Sequence, residues 1–211
     1  METQFNHWKG AGGNSFDVVR MFERRVAEFA GSKYAIAVAT GTWALFLCAK
    51  YLFPHFGTRK VVIPAKTFIS VPEVMIDAGY RIKFNDVKWT GKYELFPLMV
   101  IDGALRWQKG MYVGGLHCLS FHARKSLPIG EGGMILTDNE DDANELRALS
   151  YCGRRAPLYR VEDVYSHGYN AYMNPEKAAR GLHLMDYTQD EPDQIVHYPD
   201  LRTVPIFKGY T

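Results

Sequence analysis

Short apolar runs alternate with helical stripes along most of this chain, and that alternation constrains its fold more tightly than any other feature. Val19, Phe22, Val26 and Phe29 recur at helical spacing, which predicts a helix with Ser15 as N-cap and Gly31 as its stop. Tyr34 to Thr40 reads as a strand, Gly41-Thr42 as a turn, and Trp43 to Phe53 as a mostly apolar, largely buried helix. A strand at Lys60 to Pro64 follows, then a helix from Ser70 to Ala78 closed by Gly79, then strands at Tyr80 to Phe84 and Leu95 to Ile101. Strands at Leu116 to Phe121 and Met134 to Thr137 flank a polar turn. Asp138 to Ser150 opens with an Asp/Asn cap followed by Glu140, Asp141 and Asp142, where negative charge favours the positive end of a helix. A last helix starts at Asn174 with Pro175 in its first position; Ala178, Ala179, Leu182 and Met185 form its buried stripe. The expected fold class is α/β, a mainly parallel sheet flanked by helices.

The 211 residues suffice for one substantial domain. They divide into an N-terminal arm (1–14), an α/β domain (15–188) and a polar, proline-bearing tail (189–211) expected to be only partly ordered. With 47% hydrophobic and 23% charged residues and a net charge of +2, the composition is that of a soluble globular protein. It gives no electrostatic case for a nucleic-acid or membrane partner. No apolar run is long enough to span a bilayer, and no secretory leader pattern opens the sequence. The three cysteines, Cys48, Cys118 and Cys152, lack metal spacing and read as reduced thiols of a cytoplasmic protein. Cys118 and His122 share one side of a strand, but two ligands do not close a zinc site, so no metal is expected.

The turn between the last two strands carries the sharpest chemical signal. Ser120-Phe121-His122-Ala123-Arg124-Lys125-Ser126-Leu127 runs into Gly130-Glu131-Gly132-Gly133. This sets Lys125 at a sheet edge, with Ser120 and the glycines placed to hold an anion nearby. Taken alone, a lysine in a turn is a solvated charge. Gly41-Thr42 aims free N–H groups and a hydroxyl at whatever lies beyond a strand, a natural phosphate site, although the dipeptide is also an ordinary helix start. Asp102 ends an apolar strand, where it could pair with a cofactor's ring nitrogen or simply cap a helix. Asn170, in Gly168-Tyr169-Asn170, is turn chemistry unless the other segments give it a ligand to meet.

Taken in order, these segments resemble the DegT/DnrJ/EryC1/StrS family of sugar aminotransferases, which use pyridoxal phosphate (PLP). Phe22-Glu23 and Glu28-Phe29-Ala30-Gly31 are similar to the family's first helix, and Ala39-Thr40-Gly41-Thr42-Trp43-Ala44-Leu45 to its phosphate turn. Pro64-Ala65-Lys66-Thr67-Phe68 resembles the segment whose aromatic, here Phe68, stacks on the cofactor ring. Asp102 with Ala104 resembles the aspartate that contacts the pyridine nitrogen. Ser120 and Lys125 match the phosphate-binding serine and the Schiff-base lysine. Gly168-Tyr169-Asn170 and Ala178-Ala179-Arg180-Gly181-Leu182 resemble a segment whose asparagine reaches the phosphate in the neighbouring subunit. The resemblance implies the large domain of a fold type I PLP-dependent transferase. It also implies Lys125 and Asp102 as catalytic residues, and Gly41, Thr42, Phe68, Ser120 and Asn170 as further cofactor contacts. A homodimer, a nucleotide-sugar substrate and an amino donor such as glutamate come with it.

The departures are equally specific. Only Val87 to Ile101 remain where the family usually carries an extra strand–helix unit before Asp102. Leu105, or Arg106 with a slip of one, stands where a glutamine or histidine contacts the ring oxygen, and Tyr172 stands where arginine is common. The matched segments end near residue 187, so the family's C-terminal small domain is expected to be lacking. Two function classes follow: a miniaturised PLP aminotransferase, and a degenerate member acting as a binding or assembly module or as half of a split enzyme. Retained Lys125 and Asp102 favour the first; the shortened segments and Leu105 favour the second. Sugar-dehydrating relatives carry histidine in place of the lysine, so Lys125 argues against dehydration.

Overall fold

The computed structural model describes residues 14–57, 59–154, 162, 164 and 166–210, so all of the expected arm except Asn14 lies outside the described residues. Helix α1 (Asp17–Ala30) buries Val18, Val19, Phe22, Val26 and Ala30 and stops at Gly31, whose φ is 82°, the left-handed geometry that glycine tolerates. Its start departs from expectation. Ser15 is not the cap; the Phe16 N–H donates instead to Asn14 Oδ1 at 3.0 Å. After β1 (Tyr34–Val38), helix α2 (Gly41–Phe56) begins two residues earlier than expected, because the Thr40 hydroxyl caps it by accepting from the Trp43 N–H at 3.0 Å. Gly41 and Thr42 are therefore the first turn of the helix, not a separate turn.

Strand β2 (Lys60–Pro64), helix α3 (Ser70–Asp77) and strand β3 (Arg81–Asn85) follow closely on expectation. The single strand expected over Leu95 to Ile101 is two, β4 (Tyr93–Leu95) and β5 (Val100–Asp102). Pro97 has no N–H to give a ladder, and the Leu98 N–H turns back to the Leu95 carbonyl at 2.8 Å. Strands β6 (Leu116–Ser120) and β7 (Gly133–Thr137) lead to α4 (Glu140–Ser150), capped by Asn139. Helix α5 (Pro175–Met185) is capped by Asn174 and buries Ala178, Ala179, Leu182 and Met185, as the sequence predicts.

One sheet has the order β1-β7-β6-β5-β4, and β2-β3 form a parallel pair beside it. The pair is joined to the larger sheet by one antiparallel rung, Val62 to Phe96. The sheet is mixed: β1, β2, β3, β5 and β6 run one way, while β4 and β7 run against them. Loop length sets the β4 reversal. The connection from Leu95 to Val100 fits a hairpin, whereas a parallel pairing needs a crossover of about a dozen residues or more.

Alternation along the strands separates two cores. Ile36, Val38 and Ile135 join α2, α3 and α4 on one face; Ala35, Ala37, Met134 and Leu136 join α1 and α5 on the other. Phe22 and Phe121 are fully buried in the second core, each contributing roughly 1.5–3 kcal/mol by that burial. The tail is not loose over its described length. Leu201 and Phe207 are buried in the first core, the Leu201 N–H donates to the Ala65 carbonyl at 2.8 Å, and Arg202 pairs with Asp86 at 2.7 Å. Its polar composition hid this because backbone bonds and ion pairs hold it as much as apolar burial does.

Candidate active site

The carboxyl ends of β1, β2, β5 and β6 meet at one edge of the sheet, where open α/β folds bind ligands. A cavity of about 460 Å³ lies there, and Gly41, Thr42, Phe68, Asp102, Ser120 and Lys125 all line it. Asn170 does not. It is exposed, with its backbone bridged to Tyr151. The structure thus brings together every expected site residue except the one whose expected target lies on another subunit.

Each wall has a structural cause. Thr40, capping α2, takes the Trp43 N–H and leaves those of Gly41 and Thr42, past the strand end, without an intrahelical acceptor. The turn presses against β6 so closely that a Cβ on Gly41 would lie 2.9 Å from Ser120 Cβ. A Cβ on Gly133 would lie 2.3 Å from the Thr40 carbonyl oxygen. These glycines let the start of α2 approach β6 and β7 closely. The Thr42 hydroxyl meets that of Ser70 at 3.0 Å, adding a polar pair to the same wall. Phe68, 53% exposed, offers an apolar face.

Asp102 is buried, and burial raises its pKa. The Tyr93 hydroxyl donates to its Oδ2 at 2.6 Å and the Ala104 N–H to its Oδ1 at 3.0 Å, and these bonds together with the Lys125 charge pull the other way. Burial lowers the pKa of the half-buried Lys125 amine, and the Asp102 charge opposes that shift. Lys125 is held in its turn by its own N–H, which donates to the His122 carbonyl at 2.8 Å.

Several residues of the cavity were not among the expected contacts, although Thr67 belongs to a segment that carries the resemblance. Thr67 and Ser70 sit beside Phe68, and Tyr93 lies before the expected start of its strand. Gln194, Val196 and Tyr198 reach the cavity from the tail, with Tyr198 stacked on Trp89 at 6.1 Å and edge-on to Phe68 at 6.4 Å. The Leu105 carbonyl accepts from the Gln194 N–H at 2.9 Å, while Arg106 turns to Asp193 at 2.9 Å. At the position where the resemblance expects a polar contact, the chain presents an apolar side chain.

An α/β sheet with a lysine turn, a buried carboxylate and a helix N-terminus at one edge is the layout of a fold type I PLP-dependent transferase large domain. Solved structures share the fold. PseC of Helicobacter pylori, an aminotransferase involved in pseudoaminic acid biosynthesis, superposes with a TM-score of 0.70 at 18% identity, covering 88% of this chain and 62% of that one. DesI, solved with its TDP-sugar product, gives a TM-score of 0.67 at 25% identity, covering 88% and 57%. The spore coat polysaccharide biosynthesis protein SpsC of Bacillus subtilis is 27% identical over 82% of this chain and 57% of its own length. The model of the DegT/DnrJ/EryC1/StrS aminotransferase family matches residues 8–95 and 107–194, and the chain belongs to that family. It spans less than two thirds of the length of these relatives. Asp102 falls in the interval that the family model leaves unmatched, so its assignment rests on the cavity geometry and the resemblance.

Proposed function

We propose that the chain binds PLP in this cavity and transfers an amino group, from a donor such as glutamate, to a nucleotide-linked keto-sugar. The observation that carries this reading is one cavity holding a half-buried lysine, a buried carboxylate and a helix N-terminus on separate walls. The residues fit the group. The opening N–H groups of α2, with the hydroxyls of Thr42, Ser70 and Ser120, suit its phosphate, and Phe68 suits its ring face. Asp102 retains acceptor capacity for a ring N–H after its bonds to Tyr93 and Ala104. PLP supplies an electron sink for bond breaking at the donor's α-carbon.

Lys125 would anchor the cofactor covalently and, once freed, take and return the α-proton. Burial lowers its pKa, which favours the neutral amine that both tasks need. Asp102 would hold positive charge at the ring nitrogen. Asn170, exposed and away from its own chain's cavity, is placed in this reading at the phosphate of a second subunit in a homodimer. Among the described residues no helix is long and apolar enough to cross a membrane. Cys48 and Cys118 are buried thiols with sulfurs 3.6 Å apart, suited to the reducing cytoplasm we assign as the compartment.

The test is an absorbance spectrum of the purified chain with added PLP, then borohydride reduction and peptide mapping. A visible band that an amino donor converts, with the reduced adduct on Lys125, is the expected result. A folded protein with no band and no adduct would favour the binding module that Leu105 and the shortened segments point to.

A further inference from the structure

We propose that Tyr93, backed by Thr67, is a positioning residue that holds Asp102 as an oriented carboxylate at the cavity wall. The hairpin register places Tyr93 directly opposite Asp102. Its hydroxyl lies 2.6 Å from Asp102 Oδ2 on one side and 2.6 Å from Thr67 Oγ1 on the other. All three side chains are buried, with Asp102 and Tyr93 each 7% exposed and Thr67 2%. An ionised carboxylate can only accept, so Tyr93 must donate to it, and Thr67 must in turn donate to Tyr93. The direction of both hydroxyls is thereby fixed by the charge on Asp102, and each bond polarises the next. With Oδ1 held by the Ala104 N–H and Oδ2 by Tyr93, the carboxylate is fixed at both oxygens where the residue lines the cavity.

Other groups bear on the same carboxyl. Lys125 faces it across the cavity, Cys118 lies beside it in the register of β6, and Tyr198 approaches from the tail. Lys125 favours its ionised form. Among the described residues Tyr93 is the side chain hydrogen-bonded to Asp102, and burial with the adjoining charge holds the phenol itself well above its ordinary pKa. It therefore remains a donor throughout the working range.

The role of Asp102 in catalysis rests on the proposed function, but its ionisation can be read without cofactor. The experiment is an infrared titration of the carboxyl stretch in the full chain without PLP, with Asp102→Asn identifying the Asp102 signal. Tyr93→Phe should raise the midpoint by at least one pH unit, a tenfold gain in proton affinity. Thr67→Val should shift it in the same direction by less, and Thr67→Ser should restore the wild-type midpoint. The Thr67 variants decide the matter if Tyr93→Phe does not fold. A midpoint unmoved by any of them would overturn the proposal. Failure of the wild-type chain to bind PLP would instead count against the proposed function and leave this titration interpretable.

Discussion

Lys125 lies in a turn secured by its backbone, so its side chain can be removed with little effect on the fold. Lys125→Ala is expected to cost less than about 1 kcal/mol of stability while abolishing the borohydride adduct; an undiminished adduct in that variant would place the reactive amine elsewhere. Gly41 is less forgiving. An alanine Cβ would press on Ser120 at 2.9 Å and part the two sides of the proposed phosphate wall. Gly41→Ala should weaken PLP binding at least tenfold, about 1.4 kcal/mol, as read by cofactor titration; unchanged affinity would remove the α2 terminus from the site. These residues were legible in the sequence because each belongs to a contiguous segment whose local geometry serves one chemical need. Tyr93 was not, because its meeting with Asp102 is set by hairpin register. Gln194 and Tyr198 were not, because the path of a returning tail leaves no local pattern.

Periodicity located the helices and most strands because their burial is regular. It failed where one proline decided the outcome. Leu95 to Ile101 looks like a continuous apolar run, yet Pro97 divides it and the short loop reverses β4. Helix starts differ by one or two residues from expectation: the Thr40 hydroxyl caps α2, and Ser15 gives α1 no cap, its N-cap being Phe16 with no side-chain bond to the first turn. The packing of α1 on α5 depends on Gly181, where an added Cβ would lie 2.5 Å from the Phe22 ring. Phe22 is fully buried and cannot swing away freely. Gly181→Ala should therefore destabilise the chain by about 1–3 kcal/mol, seen as a lower urea midpoint with an unchanged slope. Wild-type stability in that variant would mean that the two helices can slide apart without loss.

At the scale of the whole molecule, His117 should govern part of the acid response. It is fully buried in β6, and among the described residues neither ring nitrogen has a hydrogen-bond partner. Burial, aided by the Lys92 and Arg106 charges, lowers its pKa from 6.5 to about 4. The unfolded chain therefore binds this proton more readily, and the neutral ring's contribution is complete above pH 6.5 and lost as pH falls toward 4. The full difference is on the order of 3 kcal/mol. Melting temperatures should fall across that interval, and His117→Leu should flatten the fall; an equally steep profile in the variant would assign the acid response to other groups. The rung at Val62 has a mechanical consequence. Among the described residues it is the backbone bridge that links the β2–β3 wing, which carries the Phe68 wall, to the sheet that carries Asp102 and leads to Lys125. The cavity thus spans a seam, and thermal breathing should open the molecule there before it disturbs the interior of either half. The Val62 amide should exchange with solvent deuterium sooner than that of Ile135, deep in the larger sheet.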